Sequence, residues 1–220
     1  MKKAFPWLPD KTERETPNKV QIKGKKVSLR EKRLEDFLDD YTWRTDDELS
    51  RLDATRPIKM SYEEYTRYAK EEMEYVGTSS KRLAIDTAEG YHIGNCMYYD
   101  INSMQGKAEL GIMIGDRNYW GKGYGTDAVT TLLFHVFATT QLTRIYLHTL
   151  DWNHRAQRSF EKAGFREVKK LHRSGQDFVL MEVLKSDWKH HMEAADGFRV
   201  VGNKYSMVPA DPAPASGAGD

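Results

Sequence analysis

Three glycines at alternate positions, Gly121, Gly123 and Gly125, sit in the stretch NYWGKGYGTDA (118–128), and no other feature constrains this chain as tightly. Inside regular structure glycine costs roughly 0.5–1 kcal/mol relative to alanine. A chain that accepts this repeatedly needs bare backbone there, for a turn or for a ligand lying against the main chain. The preceding segment, KAELGIMIG (107–115), reads as a strand with Gly111 in its interior, where glycine often marks a bulge or a close backbone approach. The following segment spaces Val129, Leu132, Leu133, Val136 and Phe137 as one face of an amphipathic helix. The loop therefore joins a strand to a helix N-terminus. The first N–H groups of a helix have no internal partner, and the macrodipole places roughly half a positive charge beside them. Glycines just before that terminus let successive N–H groups converge on a phosphate. The expected ligand is a pyrophosphate held by the N–H groups of residues 121–126.

Around the loop the chain alternates strands with helices, an α/β pattern. KVSLRE is a short strand. LEDFLDDYTW places Leu34, Phe37, Leu38 and Tyr41 at helical spacing. Ser61 and Glu64 form a capping box ahead of Tyr62, Tyr65, Ala69, Met73 and Val76. RLAID (82–86) and YHIGNCMYYD (91–100) read as strands joined by a turn at Gly90. TRIYLHT (143–149) and FVLMEVL (178–184) are strands, and NHRAQRSFEKAGF is a short helix stopped by Gly164, with Phe165 leading into another strand. Residues 1–24 read as a polar arm and 25–186 as one domain. Residues 187–220 read as an extension with a short helix, a hairpin around Gly202–Asn203 and a disordered Pro/Ala/Gly tail.

Three phosphate-binding patterns compete for the loop. The P-loop needs G-x-x-x-x-G-K-[ST], which GKGYGTD lacks, and the dinucleotide fingerprint needs G-x-G-x-x-G with an acid about twenty residues on. The third is Q/R-x-x-G-x-G/A. Trp120-Gly121-Lys122-Gly123-Tyr124-Gly125 matches it at both glycine positions and departs at the first, where Trp120 replaces Gln or Arg. That pattern is the coenzyme A loop of the GNAT superfamily of N-acetyltransferases, and the chain resembles this family from about residue 26 to 185. NHRAQRSFEKAGF resembles the family's N-x-x-A-x-x-x-Y-x-x-x-G-F segment, with Asn153, Ala156, Gly164 and Phe165 in place. YWGKGYGTDA and RIYLHT look most like the branch holding ribosomal-protein N-terminal acetyltransferases and spermidine acetyltransferase.

The resemblance implies a mixed, mostly antiparallel sheet with a splayed central strand pair, flanked by helices. It implies acetyl-CoA as co-substrate and a primary amine as acceptor, either a protein N-terminus or a small cationic amine, attacking directly in a ternary complex. It places the coenzyme against Trp120, Gly121, Lys122, Gly123, Tyr124, Gly125 and Thr126. The N–H groups of Ile112, Met113 and Ile114 become the oxyanion donors. Asn153 bonds the pantetheine or a water near it, or serves simply as a helix N-cap, which asparagine favours. Glu109 shares a strand face with Gly111 and Met113 and is the candidate base, unless it is a salt-bridged structural residue; His148 is the second choice. The family's tyrosine acid is replaced by Phe160, expected to pack near the thioester sulfur. Ser159 is the alternative acid, and solvent or the substrate's ammonium can serve instead.

Composition trims the other classes. Lys plus Arg is 34 against Asp plus Glu 33, a net charge of +1, which argues against a nucleic-acid or membrane coat. One cysteine, Cys96, excludes an intrachain disulfide and a cysteine-rich metal site, and a ping-pong acyl-cysteine route is not expected. No stretch suits a signal peptide or a bilayer span, so the expectation is a cytoplasmic protein with no metal, nucleic acid or membrane partner, and a homodimer is allowed. The cluster Asp36, Asp39, Asp40, Asp46, Asp47 and Glu48 would draw cationic acceptors to the cleft mouth if solvent-facing. A non-catalytic acyl-CoA sensor of the same fold is the competing class.

Overall fold

The computed structural model describes residues 21–74, 79–188, 190, 200–201 and 204–205. Eight strands form one sheet: β1 (Gln21–Lys23), β2 (Val27–Arg30), β3 (Ser80–Thr87), β4 (His92–Asn102), β5 (Lys107–Ile114), β6 (Arg144–Leu150), β7 (Arg166–Arg173) and β8 (Gln176–Leu184). Their order is β1-β2-β3-β4-β5-β6-β8-β7. Every neighbouring pair is antiparallel except β5–β6, which is parallel and holds for only three residue pairs, Lys107↔Arg144, Ala108↔Ile145 and Glu109↔Tyr146. Beyond Glu109 the two strands diverge. The sheet is therefore split at its centre.

Strand alternation decides what faces the split. Ala108 and Leu110 point into the core, packed with Ala128, Val129, Leu132 and Leu133 of helix α4 (Tyr124–Thr139), so Glu109, Gly111 and Met113 take the opposite face. Leu132 and Leu133 are fully buried, and truncating either to alanine would cost about 2–5 kcal/mol. The β4–β5 irregularity lies between Tyr99 and Asn102 of β4, not at Gly111. Gly111 sits in regular register opposite Met97, and a Cβ there would come within 3.2 Å of Met97 Cγ. The glycine answers a close approach rather than a bulge.

Helices α1 (Phe37–Thr45), α2 (Asp47–Leu52) and α3 (Tyr62–Glu74) follow β2. The capping box of α3 forms, with Glu64 accepting from the Ser61 N–H at 2.8 Å and Ser61 Oγ accepting from the Glu64 N–H at 3.2 Å; Val76 lies outside the described residues. Helix α1 buries only part of the face its apolar spacing predicts: Phe37 goes inside and Tyr41 packs on Tyr62 and Tyr65. Leu34 and Leu38 are exposed, while Phe37, Asp40 and Trp43 are buried. Asp40 can be buried because Lys32 Nζ lies 2.6 Å from it and Asn95 donates to it at 2.6 Å. Beside it, Arg30 bridges Asp86 (2.6 Å) and Asp36 (2.8 Å). Burial alone would raise the Asp36 carboxyl, but hydrogen bonds from Arg30 and the Arg33 backbone outweigh it and bring Asp36 down to about 2.

The sheet begins within the stretch read as an arm, since β1 pairs with β2 from Gln21. After β8 the chain turns helical and Trp188 packs on Phe137 of α4 with ring centroids 5.6 Å apart. Val200–Val201 and Lys204–Tyr205 pair antiparallel as β9 and β10. The expected arm up to residue 20 and the expected disordered tail lie outside the described residues.

Candidate active site

The glycine loop reaches α4 through two left-handed residues, Gly121 (φ 69°) and Gly123 (φ 86°). Gly123 is the N-cap, and no side chain caps the helix. Donors of the first turn are thus left for a ligand, as an anion of pyrophosphate size requires. The loop is braced from behind. Asp127, in the first turn of α4, accepts the backbone N–H groups of Lys25 (3.2 Å), Lys26 (2.7 Å) and Val27 (3.0 Å). Lys26 Nζ donates to the Lys122 carbonyl at 2.9 Å.

A cleft of about 380 Å³ opens where β5 leaves β6. Of the residues predicted to hold the coenzyme, Ile112, Met113, Ile114, Trp120, Gly121 and Gly123 line it, as do Gly125, Thr126, Asn153 and Phe160. Lys122 and Tyr124 are engaged beside it. Lys122 gives its carbonyl to Lys26, and Tyr124 packs edge-on against Tyr119 with centroids 5.0 Å apart. Leu49 and Leu52 of α2 form part of the opposite wall. Arg155, Arg158 and Lys162 line the cleft and were not among the expected residues. They lie on α5 (His154–Lys162) at i, i+3 and i+7, one polar stripe that apolar periodicity passes over.

Register narrows the oxyanion donors. Gly115 N–H donates to the Ile93 carbonyl at 2.9 Å, so the facing residues Gly94 and Ile114 form a non-hydrogen-bonded pair. Ile112 and Ile114 therefore turn their N–H groups to the split, and Met113, between them, turns its own to β4. Three consecutive donors are not available from a regular strand. The Ile114 carbonyl on that edge accepts from the Trp120 indole at 2.6 Å.

On the other face, at the vertex of the split, Glu109 Oε1 and His148 Nδ1 are 2.8 Å apart. Their side chains are 12% and 17% exposed, enclosed yet reachable. Tyr146 packs edge-on against His148, and Tyr99 faces Glu109 across the β4–β5 pairing. Burial first, and the Glu109 carboxylate second, push the Tyr99 phenol up. The two candidate bases thus meet, one strand from each side of the split.

Phe160 is buried and packs against Phe165 with centroids 5.9 Å apart. Ser159 Oγ is 2.9 Å from Thr126 Oγ1, tying it to the first turn of α4 on the loop side. Asn153 Oδ1 caps α5 by accepting the Ala156 N–H at 3.2 Å, while the residue also lines the cleft. Cys96 is buried, and burial pushes its thiol up to about 12, which suits a core residue and not a nucleophile. The six acids expected at the cleft mouth divide: Asp39 is half-buried and Asp47 is exposed, while the other four are paired. Asp36 and Asp40 pair with Arg30 and Lys32, and Asp46 and Glu48 grip Arg117 at 2.7 and 2.9 Å. Among the described residues no cluster suited to a metal ion occurs, and no helix is long and apolar enough to cross a membrane.

Comparison with known proteins agrees with this architecture. A family model described as the acetyltransferase (GNAT) domain matches residues 26–166. An uncharacterized N-acetyltransferase, p20 of Bacillus licheniformis, is 31% identical over 102 residues, 44% of this chain and 57% of that one. A spermine/spermidine N(1)-acetyltransferase of Bacillus subtilis (strain 168) is 29% identical over 100 residues, 43% of this chain and 66% of that one. The chain thus spans less than two thirds of the length of these relatives. Spermidine N-acetyltransferase from Vibrio cholerae, solved in complex with CoA and spermine, superposes with a TM-score of 0.66 at 22% identity, covering 74% of this chain and 98% of that one.

Proposed function

This chain belongs to the GNAT acetyltransferases, and from that premise we propose that it moves an acetyl group from acetyl-CoA to a primary amine by direct attack across the split between β5 and β6. The observation that carries this reading is the Glu109–His148 pair at the vertex of the split, on the face opposite the α4 core. The donor brings an acetyl group activated as a thioester. The chain does the rest. Capless N–H groups at Gly123 and beyond hold the pyrophosphate, and the cations of α5 line the same cleft. The N–H groups of Ile112 and Ile114 face the carbonyl oxygen and gain strength as it takes on charge; such donors are worth about 3 kcal/mol each.

The amine must lose a proton before it can attack, at a cost of roughly 4 kcal/mol at neutral pH. Glu109 and His148 serve this as a unit. The carboxylate accepts the imidazole Nδ1–H, which leaves the Nε2 lone pair to take the amine's proton, and it steadies the imidazolium that then forms. Phe160 has no proton to give, so the thiolate is protonated by solvent or by the acceptor's own proton. A thiol pKa of about 8.5 makes that tolerable.

Relatives named for spermine and spermidine support a small cationic amine, and the resemblance of YWGKGYGTDA and RIYLHT to ribosomal-protein N-terminal acetyltransferases supports a peptide N-terminus. Both present the same attacking group. The test is thiol release from acetyl-CoA with spermidine, short peptides bearing free N-termini and an aminoglycoside, each at low and high salt. Release with one class of amine and none without it is expected. CoA binding with no release across the panel would replace the enzyme reading with the sensor.

A further inference from the structure

Trp120 occupies the loop position where the Q/R-x-x-G-x-G/A pattern carries a polar or cationic side chain, so the cradle starts one donor short. Another cation is brought to the same place. Arg155, in the first turn of α5, lays its guanidinium on the Trp120 ring, with Cζ 3.7 Å from the centroid. The ring itself is fixed. Its indole N–H donates to the Ile114 carbonyl at 2.6 Å, and Arg117, held by Asp46 and Glu48, lies 5.4 Å from the same centroid. Trp120, Arg155, Gly121 and Gly123 all line one cleft.

We propose that Arg155, docked on Trp120, supplies the positive charge that the first position of the loop lacks, and that its ligand is the pyrophosphate of the acyl donor. This rests on the acyl-CoA reading of the cleft. A guanidinium stacked by its face keeps its N–H edge free, and that edge matches two phosphate oxygens at once. Stacking also holds the long side chain in one place before the ligand arrives, which reduces the ordering cost of binding. Partial burial lowers the Arg155 pKa while the nearby Glu48 opposes the shift, and arginine remains charged throughout. Lysine could not serve equally, because an ammonium neither stacks as a plane nor offers a fork.

Calorimetry on the full chain with CoA and with dephospho-CoA, which keeps the pyrophosphate but lacks the 3′-phosphate, tests the assignment. Arg155→Ala should weaken both ligands by the same factor, about 10–100-fold, and Arg155→Lys should recover only part of the loss. Trp120→Ala should weaken binding comparably, and the double variant should be little worse than Trp120→Ala alone, because the platform and the cation act together. Trp120→Phe, which keeps an aromatic face, guards against a folding defect and should fall between. Arg155→Ala binding CoA as well as the parent would overturn the proposal. So would a loss confined to CoA, which would move Arg155 to the 3′-phosphate, or a fully additive double variant. Failure of the unaltered chain to bind CoA would instead overturn the donor reading beneath it.

Discussion

Gly123 and Gly90 share nearly the same positive φ, 86° and 88°, and differ in where they sit. Gly123 caps α4 at the cleft, whereas Gly90 lies in the turn before β4 with nothing within 4 Å of a Cβ built on it. Valine at either position must adopt a left-handed conformation, which costs a β-branched residue about 1–2 kcal/mol. At Gly123 the new Cβ would meet only the end of the Lys26 side chain, Nζ at 3.8 Å and Cε at 3.9 Å, ordinary contacts, so strain dominates the stability cost there too. For a chain of this size 1–2 kcal/mol lowers the melting temperature by about 2–8 °C. The two variants should therefore melt together. Their ligand binding should part. Gly123→Val places a branched side chain beside the N–H groups that face the pyrophosphate, and losing one or two charge-assisted bonds weakens acetyl-CoA at least about tenfold to a hundredfold. Gly90→Val should bind as the parent does. Gly123→Asn separates the effects further, because asparagine tolerates the left-handed region yet still carries a side chain into the cradle. It should melt near the parent and bind weakly. Calorimetric affinity of Gly123→Val equal to that of Gly90→Val would refute the cradle, whatever the melting curves show.

Glu109→Gln and His148→Gln should each lower kcat/KM by about 10²–10⁴, with the double variant no worse than the more severe single one, because the pair works as a unit; additive losses in steady-state kinetics would separate them. Phe160→Tyr should leave the rate level or raise it, while Phe160→Ala should destabilise the fold by about 3–5 kcal/mol through lost packing against Phe165, read by denaturant unfolding. Asp36 is held at about 2, below its unfolded value, so its contribution is present near neutral pH and lost as pH falls through the folded value. Unfolding free energies between about pH 5 and pH 2 should fall by about 2 kcal/mol for that group, and Asp36→Asn should flatten the slope. A slope unchanged in that variant would show that Asp36 is not the group titrating.

What the sequence revealed depended on how far apart the cooperating residues lie. The loop, its flanking strand and α4 are contiguous, so glycine spacing and apolar periodicity were enough to place Gly121, Gly123 and the donor face of the helix. The buried face of helix α1 was legible only in part, at Phe37, because Asp40 goes inside to meet Lys32 and, on β4, Asn95, and no local pattern announces a partner 55 residues away. Glu109 and His148 were each visible as candidates, but their meeting depends on the parallel register of β5 and β6, which only the fold supplies. Arg155 was hidden for a different reason. Its role depends on the face of Trp120, and a tryptophan in place of the expected polar residue reads as a loss until the stacked cation is seen.

The three hydrogen bonds that Asp127 accepts from Lys25, Lys26 and Val27 join residues 102, 101 and 100 positions apart. Bringing such distant segments together costs about 4 kcal/mol of chain entropy before any bond forms, far more than closing the short β7–β8 turn. Local hairpins and α4 therefore come first during folding, and the brace behind the glycine loop comes late. On a ribosome adding about 5–20 residues per second, the β1–β2 turn waits several seconds for its carboxylate to be made. Over that interval the β1–β2 turn has only its own strand pairing to hold it.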